Sequence, residues 1–221
     1  TWNQRARADK PDWMSPRMAW RAIQSALPRD AIISSDIGNN CAIGNAYPSF
    51  DEGRKYLAPG LFGPCGYGLP SIVGAKIGQP DVPVVGFAGD GAFGISVNEL
   101  TAIGRDEWPA ITQIVFRNYQ WGAEKRNSTL WFDDNFVGTE LDTKVSYAGI
   151  AKACGLNGVQ VKSMDELTAV LNQAIKDQME NNKTTLIEVM LNQELGEPFR
   201  RDAMKKPVQV AGVAAADMAA E

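Results

Sequence analysis

Residues 82–96 read VPVVGFAGDGAFGIS, a buried-type apolar run that breaks into glycines at 89, 91 and 94. The run has the length and β-branched content of a strand. The glycines that follow spell G-x-G-x-x-G, a pattern that cradles phosphate between a strand and a helix. The second residue, however, is Asp90, a negative charge where a pyrophosphate would sit. A dinucleotide site wants an acidic residue near the end of the next strand, for the ribose hydroxyl. Here that strand, AITQIVFRN (110–118), ends in Arg117-Asn118. An NADP site could use Arg117 but leaves Asp90 unexplained.

A divalent cation turns the repulsion into a bridge. Mg²⁺ takes oxygen ligands in near-octahedral geometry and often shares one or two carboxylates with substrate phosphates. Asp90 supplies one oxygen, and Asn118, at the end of the neighbouring strand, can supply another. Twenty-seven residues separate the two, room for the loop, helix and strand of a parallel crossover. The N–H groups of Gly91, Ala92 and a helix starting near Ile95 would then face a diphosphate.

Strand-like and helix-like patterns alternate on either side. SPRMAWRAIQSAL (15–27) reads as an amphipathic helix with Ser15 as N-cap and Pro16 at its first position. A strand over 31–35 runs into a Gly/Asn loop. LPSIVGAKIG from 69 and ISVNELTAIGRDE (95–107) read as helices. VSYAGIAKACG (145–155) reads as a helix closed by Gly155, and NGVQVKS as a short strand. Ser163-x-x-Glu166 is a capping box opening a helix of about five turns, followed by a strand over TTLIEVML (184–191). The order implies one α/β domain: a doubly wound, mostly parallel sheet with helices on both faces, and functional loops at the carboxyl ends of the strands. Residues 1–206 form that domain; 207–221 is expected to be a flexible Ala-rich tail.

Composition removes other classes. The formal charge of -4 over 221 residues offers no field for nucleic acid or an anionic bilayer. No run is long enough to span a membrane. Cys41, Cys65 and Cys154 are too scattered for a disulfide framework or zinc knuckle, which fits a cytoplasmic protein. No charged-then-apolar leader argues for secretion. There is no histidine, so a general base near neutral pH must come from a cofactor or another chain. Thr1 at the start fits either Met removal or a piece of something longer.

The spacing of GDG (89–91), twenty-five residues, then an Asn-centred turn in RNYQWG (117–122) resembles the motif of the thiamin diphosphate-dependent enzymes. The resemblance implies that fold, with thiamin diphosphate and Mg²⁺ as cofactors. It implies Asp90, Asn118 and the Gln120 carbonyl as metal ligands. Many members carry Asn-Asn where this chain has Arg117-Asn118. SSDIGNN (34–40) looks like the first diphosphate loop, with Gly38, Asn39 and Asn40 near phosphate oxygens. GPCGYGLPSIVGA (63–75) resembles the loop under the cofactor rings, with Cys65 in the supporting position; a plain buried thiol is the alternative. The implied cofactor-binding set is Gly38, Asn39, Asn40, Cys65, Gly89, Asp90, Gly91, Ala92, Asn118, Gln120, Trp121 and Gly122. Trp121 either walls the pocket or fills core.

RNYQWGAEKRN, FVGTEL (136–141) and ELGEPFRRDAMKKPV (194–208) look like the sulfoacetaldehyde acetyltransferase branch of that family, which converts sulfoacetaldehyde and phosphate into acetyl phosphate and sulfite. That reaction handles two anions, and Lys125, Arg126, Arg200 and Arg201 are candidate contacts; a solvated basic surface is the alternative. The resemblance covers only the diphosphate-binding half. No catalytic residue is assigned with certainty within it. The activating Glu belongs to a pyrimidine-binding domain or subunit, in a homo- or hetero-oligomer, dimer or tetramer, and neither Glu99 nor Glu124 should take that role. Two rivals are a small subunit of another thiamin-dependent decarboxylase or acetolactate synthase-like enzyme, and a non-catalytic cofactor-binding module. The second predicts cofactor binding without turnover.

Overall fold

The computed structural model describes residues 12–194. Six strands form one wholly parallel sheet: β1 (Ile32–Ser35), β2 (Tyr56–Leu57), β3 (Val84–Gly89), β4 (Thr112–Arg117), β5 (Asn157–Val161) and β6 (Thr185–Met190), in the order β2-β1-β3-β4-β6-β5. Helices α1 (Pro16–Ala26), α2 (Asn39–Gly44) and α8 (Met164–Asn181) are grouped with one face; α3 (Gly68–Gly78), α4 (Asp90–Ser96), α5 (Leu100–Ile103) and α7 (Tyr147–Ala153) with the other. A further helix, α6 (Gly122–Trp131), follows β4.

The two-residue period of the strands divides the core. Ile33, Phe87, Ile114 and Phe116 pack under Trp20, Leu167 and Leu171. Ile32, Val84, Ala88 and Val115 pack under Leu69, Ile72, Phe93 and Leu100. Strands buried on both faces read as continuous apolar runs, which is why 82–88 and 110–116 were visible in the sequence. Trp20 packs at a tilt against Phe87 and Phe116 at ring separations of 4.7 and 5.3 Å, and its indole N–H donates to the Asn40 carbonyl at 2.7 Å. A Cβ on Gly44 would lie 2.1 Å from the Trp20 ring, so α2 can dock there only through glycine.

Local signals set the helix ends. Ser15 Oγ accepts from the Met18 N–H and Pro16 opens α1. Ser163 Oγ accepts from the Glu166 N–H, while the Glu166 carboxylate reaches the Lys162 N–H, one residue earlier than in the usual capping box. Gly155 follows α7 at φ +82°, the left-handed position that favours glycine.

The 95–107 segment differs from expectation. Helix α4 starts at Asp90, five residues earlier, and a 3₁₀ turn at Val97–Glu99 separates it from α5. Ile95 is exposed rather than a helix start facing a ligand. Helices α2 and α6 and the short edge strand β2 were not read from the sequence. Among the described residues, no helix is long and apolar enough to cross a membrane. The 207–221 tail lies outside the described residues.

Candidate functional site

The strand order steps from β1 to β2 on one side and to β3 on the other, so the loops after β1 and β3 part above the sheet. The loop after β4 closes the third side. The three loops and the 63–65 segment line a cavity of about 180 Å³. All twelve residues of the sequence-derived cofactor set line it, together with Ile37, Gly63, Ala123 and Glu124.

Asp90 lies at its floor, 1% exposed. Its Oδ2 accepts from the N–H groups of Asn118 (3.1 Å) and Tyr119 (2.7 Å) and from Arg117 Nη1 (3.1 Å). Its Oδ1 accepts from the Gly91 N–H at 3.0 Å. Burial pushes the Asp90 carboxyl up to about 6, against the opposing pull of Arg117 and the backbone donors. Tyr119 sits at φ +61°, uncommon for a residue with a side chain. That turn places two successive N–H groups within reach of one oxygen. The Gly91 N–H, expected to face a diphosphate, donates to Asp90 Oδ1 here while Gly91 lines the cavity.

Around this carboxylate several buried polar atoms have no hydrogen-bond partner: Asn39 Nδ2, Asn40 Oδ1, Asn118 Oδ1 and Gln120 Oε1. Such atoms are costly to bury unpaired. All four residues line the cavity. The set holds a donor and oxygen acceptors beside one buried carboxylate, which suits a phosphate together with a hard cation. Among the described residues no three His, Cys, Asp or Glu side chains gather as a cation site. A cation here would therefore rest on Asp90, amide or backbone oxygens, and the ligand's own phosphate. Gln193 braces this wall: its Nε2 donates to the Asn118 carbonyl at 3.1 Å, and its carbonyl accepts from Gln120 Nε2 at 3.2 Å.

Trp121 lines the cavity, its ring so close over Gly91 that a Cβ there would lie 2.7 Å away. Cys65 lines it too, half-buried, with burial pushing its thiol up. Lys125 does not line it. Its ammonium is buried, 2.5 Å from Glu140 Oε1 and 3.1 Å from Gln193 Oε1. That pairing argues against Lys125 as an open anion contact. Arg126 is half-buried, outside the lining, and burial lowers its guanidinium from the ordinary value. Arg200 and Arg201 lie outside the described residues. Glu99 is exposed on the 3₁₀ turn, and Glu124 is exposed at the cavity rim.

Several residues escaped the sequence reading. Asp36, buried at the end of β1, accepts from the N–H groups of Ile37, Gly66 and Gly68 at 2.8, 3.1 and 2.8 Å and so ties the first loop to the 63–68 segment. Tyr147 donates from its hydroxyl to the Asp90 carbonyl at 2.8 Å. Arg117 and Glu188 form a buried pair beneath the site. A larger groove, about 700 Å³, opens at the opposite end of the strands between Arg105, Asp106, Asp177 and Lys183. None of the orphaned buried atoms among the described residues borders it, and it mixes both charge signs, so size does not make it the site.

Comparisons with known proteins place the chain in a family. The family model described as "Thiamine pyrophosphate enzyme, C-terminal TPP binding domain" matches residues 36–189. The chain is 83% identical over 218 residues to a sulfoacetaldehyde acetyltransferase of Roseovarius nubinhibens, covering 99% of this chain and 36% of that protein. It is 77% identical over 218 residues to a sulfoacetaldehyde acetyltransferase of Rhodobacter capsulatus, covering 99% and 37%. The chain thus spans little more than a third of the length of these curated relatives. Its fold matches the thiamine diphosphate-dependent 4-hydroxybenzoylformate decarboxylase of Rhodococcus jostii RHA1 with a TM-score of 0.75 at 22% identity, covering 87% of this chain and 35% of that one.

Proposed function

Because the chain belongs to the thiamine pyrophosphate enzymes, as a C-terminal TPP binding domain, we propose that it is the diphosphate- and Mg²⁺-binding part of a sulfoacetaldehyde acetyltransferase. The observation that carries the binding role is the ring of orphaned polar atoms from Asn39, Asn40, Asn118 and Gln120 around one buried carboxylate. The substrate assignment rests on the relatives, 83% and 77% identical across nearly all of the chain.

Asp90, Asn118 and the Gln120 carbonyl would hold a cation, which would offset the charge of a diphosphate at the floor of the cavity. Gly38, Asn39 and Asn40 would meet phosphate oxygens from the β1 side. Trp121 and Cys65 wall the space above. Thiamin diphosphate, when bound, supplies the carbon centre that lets an aldehyde be handled as an acyl group. The chain's own task is to anchor and orient that group and to keep water from its diphosphate end.

Proton transfer is not supplied here. The chain has no histidine, and Glu99 and Glu124 are exposed outside the floor of the site. The activating Glu comes from a pyrimidine-binding domain or subunit. The overall reaction takes sulfoacetaldehyde and phosphate to acetyl phosphate and sulfite. The test is phosphate-dependent sulfite release from sulfoacetaldehyde by the native assembly with Mg²⁺ and thiamin diphosphate. Release supports the assignment. An assembly that retains the cofactor but releases no sulfite removes the substrate and leaves the binding role.

A further inference from the structure

Arg117 occupies a position that a cation site should not tolerate without cause, a buried positive charge beside the carboxylate meant to hold a metal. It is 1% exposed and lies between two carboxylates, Asp90 at 1% and Glu188 at 0%. Nη1 donates to Asp90 Oδ2 at 3.1 Å, and Nη2 donates to the carbonyls of Asp142 (2.6 Å) and Val145 (3.0 Å). The Tyr119 and Tyr147 rings hold the guanidinium at 4.1 and 5.2 Å from their centroids. Nε lacks a hydrogen bond and faces Glu188 Oε1, also lacking one, at 3.6 Å.

Glu188 reaches this place through register. It pairs with Val115 across β4 and β6, so it shares the sheet face of Arg117 two residues on. Its other oxygen is saturated: Oε2 accepts from Ser146 Oγ, the Ala148 N–H and Gln160 Nε2 at 3.0, 3.1 and 2.9 Å. Counted as formal charges, two carboxylates and one guanidinium sum to one negative charge in a buried place. Unbalanced buried charge is unfavourable, and a cation at Asp90 would offset it.

We propose that Arg117 is a positioning residue, shared between Asp90 and Glu188, which fixes the Asp90 carboxylate and, with Glu188, sets the charge that a divalent cation must complete. The proposal rests on the cation-site reading of the preceding subsection. Glu188 acts at a distance by holding part of the guanidinium's charge away from Asp90. Its loss would leave Arg117 to neutralise Asp90 alone and compete with the metal.

The test uses the full-length protein in its native assembly and measures two quantities by equilibrium dialysis. One is the Mg²⁺ concentration for half-maximal retention of thiamin diphosphate; the other is thiamin diphosphate affinity at saturating Mg²⁺. Glu188→Gln, nearly isosteric, should raise the first roughly tenfold, the usual scale for groups behind a metal ligand, and leave the second within about twofold. Gln160→Ala, at the edge strand β5, strips a donor from Glu188, strengthens its hold on Arg117 and should lower the first. A merely structural role would shift thermal stability and both affinities together, and that result overturns the proposal. So does an unchanged Mg²⁺ requirement in folded Glu188→Gln. If Glu188→Gln does not fold, an unchanged or raised requirement in Gln160→Ala overturns it. Failure of the unsubstituted protein to retain thiamin diphosphate at any Mg²⁺ concentration would instead remove the cation-site reading itself, and the proposal with it.

Discussion

Asp36 and Asp90 end adjacent parallel strands at the same edge of the sheet, and both are buried beside glycines. Their surroundings assign them different work. The Asp36 carboxylate is met by three backbone N–H groups, from its own loop and from the 63–68 segment. It functions as a clamp, satisfied by the chain alone. Asp90 also meets backbone donors, but it shares its floor with a guanidinium and with amide atoms that have no partner. Asp90 accepts four hydrogen bonds to the three of Asp36, so donors do not separate them. The difference is that Asp90 lines a cavity with the orphaned amide oxygens of Asn40, Asn118 and Gln120, and Asp36 does not line it. Burial alone separates nothing here. What decides is whether the neighbouring polar atoms are already spent.

The sharpest way to break the comparison is to remove each carboxylate in turn. Asp90→Ala should abolish Mg²⁺-dependent retention of thiamin diphosphate, a loss of about 100-fold or more, on the scale of losing a direct ligand rather than an outer partner. Equilibrium dialysis with and without Mg²⁺ checks it; unchanged retention would remove Asp90 from the cation site. Asp36→Ala should act on stability instead. It strands up to three backbone donors, at about 1–3 kcal/mol for each that water cannot reach. The expected outcome is a urea midpoint well below that of the unsubstituted protein, with the Mg²⁺ requirement of the folded fraction within about threefold. An Asp36 variant that loses its Mg²⁺ response as Asp90→Ala does would erase the distinction.

A smaller effect should follow from Gly91→Ala. The added methyl would lie 2.7 Å from the Trp121 ring, a rigid group that must give way. Overpacking of this kind costs about 1–3 kcal/mol. Because Trp121 walls the cavity, the expected readout is a severalfold weaker cofactor affinity and a shifted tryptophan emission. Loss of stability with unaltered affinity would make Trp121 core filling instead.

The parts of this site that could be read from the sequence are those whose signal is local. Buried parallel strands print themselves as unbroken apolar runs, and Ser15, Ser163 and Gly155 mark helix ends within a few residues. Asp90 and Asn118 were legible because the crossover between neighbouring parallel strands has a bounded length. The rest depends on contacts far apart in the chain. Glu188 lies 71 residues beyond Arg117 and meets it only through the β4–β6 register. Asp36 meets Gly66 and Gly68 across 30 and 32 residues. Lys125, next to the metal loop in sequence, is only a candidate anion contact there, with a solvated surface as the alternative; in the fold it is buried against Glu140 and Gln193. Helix α2 was missed because NNCAIG has no apolar period and docks through the contact of Gly44 with Trp20. The start of α4 was placed late because its glycines are poor helix formers in isolation.

The finest form of the comparison is chemical access at two cysteines, Cys41 buried beside Asp36 and Cys65 in the wall of the cavity that Asp90 lines. Cys41 follows the Asp36 loop in α2; it is 2% exposed, and burial pushes its thiol up to about 12. Cys65 is half-buried in the cavity wall, also raised by burial. The thiolate is the reactive form. At pH 8 the folded Cys41 thiol would be ionised to about one part in 10⁴, so iodoacetamide should leave it untouched until the protein unfolds. The sign for stability follows: a thiol raised above its unfolded value contributes stability below the ordinary thiol range, near 9, and loses it as pH climbs toward 12. Cys65 should alkylate slowly in the apo protein and more slowly still with Mg²⁺ and thiamin diphosphate bound. Peptide mapping by mass spectrometry after timed labelling separates the two. Protection at Cys65 that needs Mg²⁺, and that Asp90→Ala abolishes, would join the carboxylate and the thiol in one site. Labelling of Cys65 at the same rate with and without cofactor would place the thiol outside it and return Cys65 to the role of a half-buried packing residue.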